Sequence, residues 1–109
     1  MARDEGLEEL LREDLQGEPD LSEMTMFGGR AWLLHGNLLC GARHDGMLAR
    51  LGKDNVDWAL ASPDVEPMRA GPRLMPGWVW LKAEACGDDA LRRKLLDAAL
   101  AMVRQLPPK

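Results

Sequence analysis

Residues 24–51 read MTMFGGRAWLLHGNLLCGARHDGMLARL, and this stretch decides the fold. It holds three apolar runs separated by two turn signals, Gly36-Asn37 and Asp45-Gly46. Glycine at the first central position suits a type II′ turn and Asp-Gly a type I′ turn, because both turns need a positive φ that glycine adopts without steric cost. We therefore predict a three-stranded antiparallel meander with hairpin tips at these two pairs. Gly28-Gly29 is expected inside the first strand, as a bulge or a close approach of backbone.

Amphipathic patterns on either side of the meander predict three helices. They span Asp4–Leu15, Gly52–Ala61 and the stretch from Gly87-Asp88-Asp89 to Leu106. Aspartates are expected as the N-caps of the first and last of these helices. Residues 16–23 are predicted to be a linker. The outer side of the last helix is assigned to Arg92, Arg93, Lys94, Asp97 and Arg104.

Two more strands are expected between the second and third helices. Val65–Arg69 is predicted to be an edge strand, which suits Pro67. Ala70–Gly77 holds two prolines and two glycines and is predicted to be a loop. In the strand Trp78-Val79-Trp80-Leu81, alternation places the two tryptophans on one face and Val79 and Leu81 on the other.

The element order α-βββ-α-ββ-α indicates an α+β domain of two layers, an antiparallel sheet with helices on one face. At 109 residues the chain is expected to fold as one domain. Residues 1–23 supply the N-terminal helix and linker, and residues 24–108 supply the core.

The charge pattern and the cysteines narrow the class of function. A net charge of −4 disfavours direct nucleic-acid binding, because phosphate contacts need clustered Lys and Arg. No segment resembles a signal peptide and no apolar run approaches the ~20 residues needed to span a bilayer, so a cytoplasmic protein without a membrane partner is expected. Cys40 and Cys86 are then expected to be free thiols that bind no metal.

No catalytic signature is found in the sequence. His35 and His44 each adjoin a hairpin turn, and successive turns of a meander lie at opposite ends of the strands. Cys40 and His44 lie about 13 Å apart along an extended strand at ~3.3 Å per residue, too far for one metal ion. Gly28-Gly29 lacks the following Lys or Ser/Thr of a phosphate-binding loop. We therefore predict no enzyme activity and no cofactor.

Tryptophan and arginine supply the candidate interaction residues. Trp32, Trp78 and Trp80 exceed what a small core must hold, and tryptophan is enriched at protein interfaces. Core packing is the alternative interpretation for them. Arg43 and Arg50 could share a face with Arg69 and Arg73, and ordinary solvent-facing positions are the alternative for these arginines.

Several motifs resemble the N-terminal domain of the TfoX/Sxy competence-regulator family. They are Met26-Phe27-Gly28-Gly29, Gly36-Asn37 before the strand through Cys40-Gly41, Gly77-Trp78-Val79-Trp80 and Leu106-Pro107-Pro108. The resemblance covers residues 24–108, and only the loop over residues 71–76 is spaced differently from the family's usual form. It implies a fold similar to the type III secretion-chaperone group and a role in the regulation of competence and transcription. The second, C-terminal domain of the longer family members has no counterpart in this sequence.

These observations favour a non-enzymatic regulatory module that contacts a protein partner through its sheet or a sheet edge. A second copy of the chain is one candidate partner. The alternative is a small-ligand-binding domain or an enzyme that uses the Gly28-Gly29 region and nearby arginines. A flat apolar patch would favour the first hypothesis and a deep polar pocket the second. Residues 70–77 could also fold over the second sheet face and hide it.

Overall fold

The computed structural model describes residues 4–26 and 28–109, which form one six-stranded antiparallel sheet with helices against it. The strands lie in the order β1-β2-β3-β4-β6-β5. The α+β class, the antiparallel sheet and the predicted layout are confirmed, with one strand more than expected. The elements are α1 (Glu5–Asp14), β1 (Leu21–Met26), β2 (Gly29–Leu34), β3 (Asn37–Arg43), β4 (Gly46–Arg50), α2 (Asp57–Leu60), β5 (Val65–Ala70), β6 (Arg73–Lys82), a 3₁₀ turn (Ala83–Ala85) and α3 (Asp89–Val103).

The first predicted strand is in fact a hairpin. β1 occupies part of the predicted linker and pairs with β2 from Leu21↔Leu34 to Met26↔Gly29. Gly28 has a φ of 75° and lies in the turn, while Gly29 begins β2. The predictions of a linker over residues 16–23 and of Gly28-Gly29 inside one strand were therefore wrong. The glycines instead allow the chain to reverse direction between β1 and β2. Phe27, a residue of the family-like motif, lies outside the described residues.

Both of the other predicted hairpin tips lie one residue earlier than expected. The β2–β3 turn is His35-Gly36, with φ values of 51° and 81°, as a type I′ turn requires. The β3–β4 turn is His44-Asp45, and Arg43 pairs with Gly46 across it. Histidine is one of the non-glycine residues that adopt a positive φ comparatively often, which the sequence pattern did not weigh.

The C-terminal segment packs on the β2–β3 turn. Asn37 is buried, and its amide nitrogen donates to the carbonyl of Pro107 at 2.9 Å. The backbone N–H of Lys109 donates to the carbonyl of His35 at 2.8 Å. A Cβ on Gly36 would lie 3.0 Å from the Cβ of Lys109, so glycine leaves the room that this contact needs. Two motifs that are far apart in the sequence, Gly36-Asn37 and Leu106-Pro107-Pro108, therefore lie in contact.

Aspartate caps open both long helices, as predicted. The Asp4 side chain accepts from the backbone N–H of Leu7 at 3.0 Å, and that of Asp88 accepts from Leu91 at 3.2 Å. α2 is only four residues long, shorter than the predicted second helix, and α3 ends at Val103 before its predicted end. None of the helices in the described part of the chain is long and apolar enough to cross a membrane.

One hydrophobic core lies between the helices and one face of the sheet, here called the inner face. The helices contribute Leu7 and Leu11 from α1 and Leu95 and Ala99 from α3. One row of paired residues on the inner face runs across the sheet through Trp32, Cys40, Ala49 and Val79. All four of these are at most 1% exposed. Burying such a set stabilises the fold by roughly 25 cal/mol for each Å² of apolar surface.

Arg92 lies inside this layer and not on the predicted outer side of α3. Its side chain is 1% exposed and donates through Nε to Asp14 Oδ2 at 2.6 Å. Nη1 donates to the carbonyl of Cys86 at 2.9 Å and to Asp89 at 2.8 Å. The prediction was wrong because an arginine can be buried where acceptors satisfy its donors, and Asp14 lies 78 residues away in sequence.

The predicted loop at residues 70–77 is mostly the first part of β6. Only Gly71 and Pro72 form the turn between β5 and β6. β5 is an edge strand, as predicted, and the pairing shifts after Pro67. Between the pairs Pro67↔Val79 and Arg69↔Leu74, β5 has one residue, Met68, and β6 has four, residues 75–78. This bulge displaces the hairpin tip, and it also leaves Pro76 outside the regular ladder that proline would interrupt.

Replacing Arg92 by methionine should lower the free energy of unfolding by about 3–5 kcal/mol, because Asp14 would keep a buried charge without its main partner. Arg93→Met is the matched control. Arg93 donates to the same carboxylate at 3.2 Å but is 63% exposed, so its loss should cost under about 1 kcal/mol. Urea denaturation of both variants measures the difference. Equal losses would contradict the assignment of Arg92 as the buried member of the network.

Acidification tests the same pair. Burial disfavours the ionised form of Asp14, but hydrogen bonds from Arg92 and Arg93 outweigh it and lower the pKa of this carboxyl. A lowered pKa means that the stabilisation is complete above the unfolded value of about 3.9 and is lost as pH falls through the folded value. The advantage of the wild type over Asp14→Asn should therefore shrink below about pH 4. An advantage that stays constant with pH would argue against an ionised Asp14.

Gly77→Ala should destabilise the fold more than Gly71→Ala. Both glycines have a positive φ, 88° and 62°, so each alanine costs on the order of 1–2 kcal/mol for the backbone alone. A Cβ on Gly77 would also lie 2.9 Å from the backbone nitrogen of Lys53, whereas nothing lies within 4 Å of one on Gly71. Thermal or urea unfolding would show the additional loss. Equal effects would mean that the contact with Lys53 relaxes freely.

Candidate functional site

The sheet face opposite the core, here called the outer face, carries no helix in the described part of the chain. One row of paired residues crosses all six strands on this face. It runs through Met24, Ala31, Gly41, Leu48, Trp80 and Glu66. The predicted alternation of β6 is confirmed, because Val79 and Leu81 are buried in the core while Trp78 and Trp80 are half-buried on the outer face.

Two arginines lie over the two outer tryptophans. The guanidinium of Arg43 is 5.3 Å from the ring centre of Trp80, and that of Arg50 is 5.6 Å from that of Trp78. Such cation–π contacts contribute about 0.5–1 kcal/mol at exposed sites. Four of the predicted interaction residues are thus brought together in two stacked pairs.

Trp32, the fifth predicted interaction residue, is not on this face. It is 1% exposed and belongs to the core beneath α1. A partner cannot reach its indole without unfolding the inner layer, so the core interpretation holds for Trp32. The strand alternation decides this, since Trp32 pairs with the core residue Cys40.

Glycines beneath the stacked side chains keep the outer face shallow. A Cβ on Gly29 would clash with the carbonyl of Ala42 and lie 3.1 Å from Cγ of Arg43. A Cβ on Gly46 would clash with the carbonyl of Leu81 and lie 3.1 Å from the ring of Trp80. Larger residues at these positions would therefore lift the arginine and the indole away from the sheet. Gly29, which the sequence analysis singled out as a motif residue, therefore lies at the base of this part of the outer face.

The displaced tip of the β5–β6 hairpin lies over the outer face and encloses a cavity of about 280 Å³, here called the apolar cavity. Leu38 and Leu48 from the sheet and Met75 and Trp78 from β6 supply apolar walls. Met75 and Trp78 would point to opposite sides in a regular strand, and the positive φ of Gly77 brings them into one cavity. The remaining lining residues are Arg43, Met68, Arg69, Ala70 and Gly71.

A wider cavity of about 500 Å³ adjoins the apolar cavity and is here called the polar cavity, because four of its lining residues are charged. It is lined by Arg43, Asp45, Glu66, Pro67, Met68, Arg69 and Trp80. Arg43, Met68 and Arg69 line both cavities and so form the boundary between them. The outer face therefore offers a hydrophobic compartment and a charged compartment, with two arginines that line both.

Two arginines, Arg43 and Arg69, and two carboxylates, Asp45 and Glu66, line these cavities. Arg50, over Trp78, and Lys82, paired with Glu66, add two cations beside them on the outer face, in a chain whose net charge is −4. Arg43 lies 3.4 Å from Asp45, and Lys82 lies 3.5 Å from Glu66. Arg69 donates through Nη1 to the carbonyl of Pro72 at 3.5 Å. Arg69 and Arg50 have no carboxylate partner among the described ion pairs, so the patch is basic. Arg69 thus joins Arg43 at the site, and Arg73 lines a neighbouring cavity with Trp78.

The cysteines and histidines lie apart from this site. Cys40 and Cys86 are buried free thiols, and burial raises the pKa of Cys86 to about 11 and that of Cys40 further still. Neither thiol is therefore poised as a nucleophile. His35 contacts Asp20 at 3.0 Å, and β3 separates it from His44, as the meander predicted. Among the described residues, no group of three or more His, Cys, Asp or Glu side chains could hold a metal ion.

Sequence reasoning missed the lining of the apolar cavity. Leu38 and Leu48 were counted as strand residues, and Met68 and Met75 were placed in an edge strand and a loop. Two methionines flanking the Gly71-Pro72 turn were the available signal, because methionine fills irregular gaps and adapts to ligands.

Acrylamide quenching of fluorescence should separate the tryptophans by face. Trp80→Phe should remove an accessible component, because the indole of Trp80 is half-buried at the surface. Trp32→Phe should instead remove a protected component, because Trp32 is 1% exposed. The quenchable fraction should thus fall in the first variant and rise in the second. The opposite pattern would contradict the assignment of the two sheet faces.

Comparison of the chain with protein-family models, with curated proteins and with solved structures found no match in any of the three. The functional assignment of the outer face therefore depends on its own geometry.

Proposed function

We propose that this domain is a non-enzymatic regulatory module that binds a protein partner through the outer face of its sheet. The observation that carries the proposal is the pair of arginine–tryptophan stacks on a face that no helix covers in the described part of the chain. Tryptophan and arginine are the residues that most often dominate the binding energy at protein interfaces. Here Arg43, Arg50, Trp78 and Trp80 already lie in stacked positions, so little side-chain entropy would be lost on binding.

The surroundings of the stacks support the same proposal. The half-buried Leu33 and Leu38 and the exposed Met24, which is 44% exposed, extend the apolar surface toward the β1 edge. Contiguous apolar surface rimmed by charged residues is typical of interaction sites. An interface centred on the stacks would combine an apolar centre with a basic rim, which favours an acidic or mixed-charge partner surface.

The wider biological role is part of the proposal. The resemblance of the Met26–Gly29 and Gly77–Trp80 motifs to TfoX/Sxy proteins supports a regulatory role of that kind, in the cytoplasm. Protein contact is preferred over nucleic-acid contact because the chain is acidic overall and the basic patch is small. A second copy of the chain remains a candidate partner, and sedimentation equilibrium at tens of micromolar tests it.

Affinity capture with matched variants tests the proposed surface. Trp80→Ala should reduce recovery of the partner at least about tenfold, as expected for a central interface tryptophan. Trp58→Ala is the control, because Trp58 lies under Lys94 at 5.0 Å in a similar stack that involves α3 and not the outer face. Proteins retained by the wild type and the control but lost with Trp80→Ala would support the proposal. Proteins retained equally by all three would contradict it.

A small-ligand-binding function is the second candidate, and one observation favours it. The apolar and polar cavities meet at two arginines, and Gly29 lies beneath one of them. Gly29 and Arg43 of the expected region therefore lie beside these cavities, which are under the β5–β6 hairpin and not in the Gly28-Gly29 turn.

A further inference from the structure

We propose that the apolar cavity binds a free small-molecule carboxylate with a short hydrocarbon body, and that Arg43 and Arg69 hold its anionic group. This goes beyond the proposed protein contact and does not depend on it. The two sites share the outer face, so the carboxylate could regulate access to Trp78.

The size and walls of the apolar cavity define the body of the ligand. A volume of about 280 Å³ corresponds to roughly nine water-sized groups at about 30 Å³ each. Leu38, Leu48 and Met75 present only carbon and sulfur side-chain atoms to this space. A saturated chain of about eight carbons, or an aromatic ring with a short arm, would match both the volume and the chemistry.

The boundary between the cavities defines the head group. Arg43 and Arg69 line both compartments, so a molecule whose body fills the apolar cavity would have its end beside both arginines. The guanidinium of Arg43 lies on the polar side, over Trp80. Guanidinium pairs with carboxylate through two parallel hydrogen bonds and is always charged at neutral pH. The long 3.5 Å bond from Arg69 to the Pro72 carbonyl uses one of its five N–H donors. The charge on the ligand is therefore expected to be negative.

A free ligand fits better than a protein terminus. The cavity lies between the sheet residues Leu38 and Leu48 and the hairpin residues Met68, Ala70 and Gly71. A polypeptide end would have to pass beneath this hairpin with its polar backbone groups, which would lose their hydrogen bonds to water. A small carboxylate buries almost only hydrocarbon.

Substitution of Asp45 is expected to change the affinity for the carboxylate in the opposite direction to substitution of Arg69. Its carboxylate lies 3.4 Å from Nε of Arg43 in the polar cavity and would compete with the ligand for that arginine. Glu66 lines the same cavity but is paired with Lys82 at 3.5 Å. Removing the charge of Asp45 should therefore strengthen binding, whereas removing that of Arg69 should weaken it.

Isothermal titration of the full chain with sodium octanoate and with 1-octanol tests the proposal. Octanoate should bind saturably and more tightly than octanol, and rising salt should weaken only octanoate. Arg69→Gln should weaken octanoate binding roughly tenfold, as for loss of a charge-assisted hydrogen bond. Asp45→Asn should tighten it about two- to fivefold. Lys94→Gln, which removes a cation stacked on Trp58, should leave it unchanged.

Three results would overturn the proposal. They are no saturable binding of octanoate at millimolar concentrations, equal affinities for octanoate and octanol, and tighter binding of a peptide that ends in a free apolar residue. Circular dichroism confirms that each variant is folded. No protein partner is present in this titration, so its failure would leave the proposed protein contact standing, and loss of that contact would leave this site standing.

Discussion

The buried ion pair between Arg92 and Asp14 holds the two long helices on the same side of the sheet. It joins α3 to the end of α1 across 78 residues of sequence, with Nε of Arg92 2.6 Å from Oδ2 of Asp14. Arg93 and Asp89 complete the charge balance around it. Because a buried charge is costly without its partner, separating the two helices would leave Asp14 or Arg92 uncompensated. Both helices pack their apolar side chains on the inner face, and the outer face has no helix among the described residues.

Because both long helices lie on the inner face, the outer face has to be covered in a different way. A sheet face without a helix must either be polar or be covered in some other way. Here the β5–β6 hairpin covers part of it, because the bulge opposite Met68 and the positive φ of Gly77 displace its tip. Arginines lie over the indoles of Trp78 and Trp80. The result is a half-apolar, basic surface on an acidic protein.

Much of the local structure could be predicted from the sequence. The aspartate caps, the alternation of Val79 and Leu81 with the tryptophans and the edge position of β5 depend on neighbouring residues, and each was confirmed. The β2–β3 and β3–β4 turns were located to within one residue, whereas the β1–β2 hairpin was not predicted. Turn placement erred because the pattern favoured glycine at the first central position, whereas His35 adopts the positive φ there.

The errors have a shared physical cause. Arg92 was predicted to be solvent-exposed because the helical pattern of α3 does not settle which side it occupies, and because its acceptor lies on α1. Trp32 was proposed for an interface because its sequence neighbourhood does not show which face of the sheet the helices will cover. Residues 70–77 were predicted to be a loop because prolines and glycines usually mark loops, but here an irregular hairpin accommodates them.

The sequence by itself determined the α+β class, the three helices and most of the strands, because these follow from local propensity and from short loops. Only the tertiary structure decided which apolar residues are core and which are surface. It also brought Arg43, Met68 and Arg69, which lie on different strands, to one boundary between two cavities. Such an arrangement depends on the displacement of the β5–β6 hairpin, which no local pattern encodes.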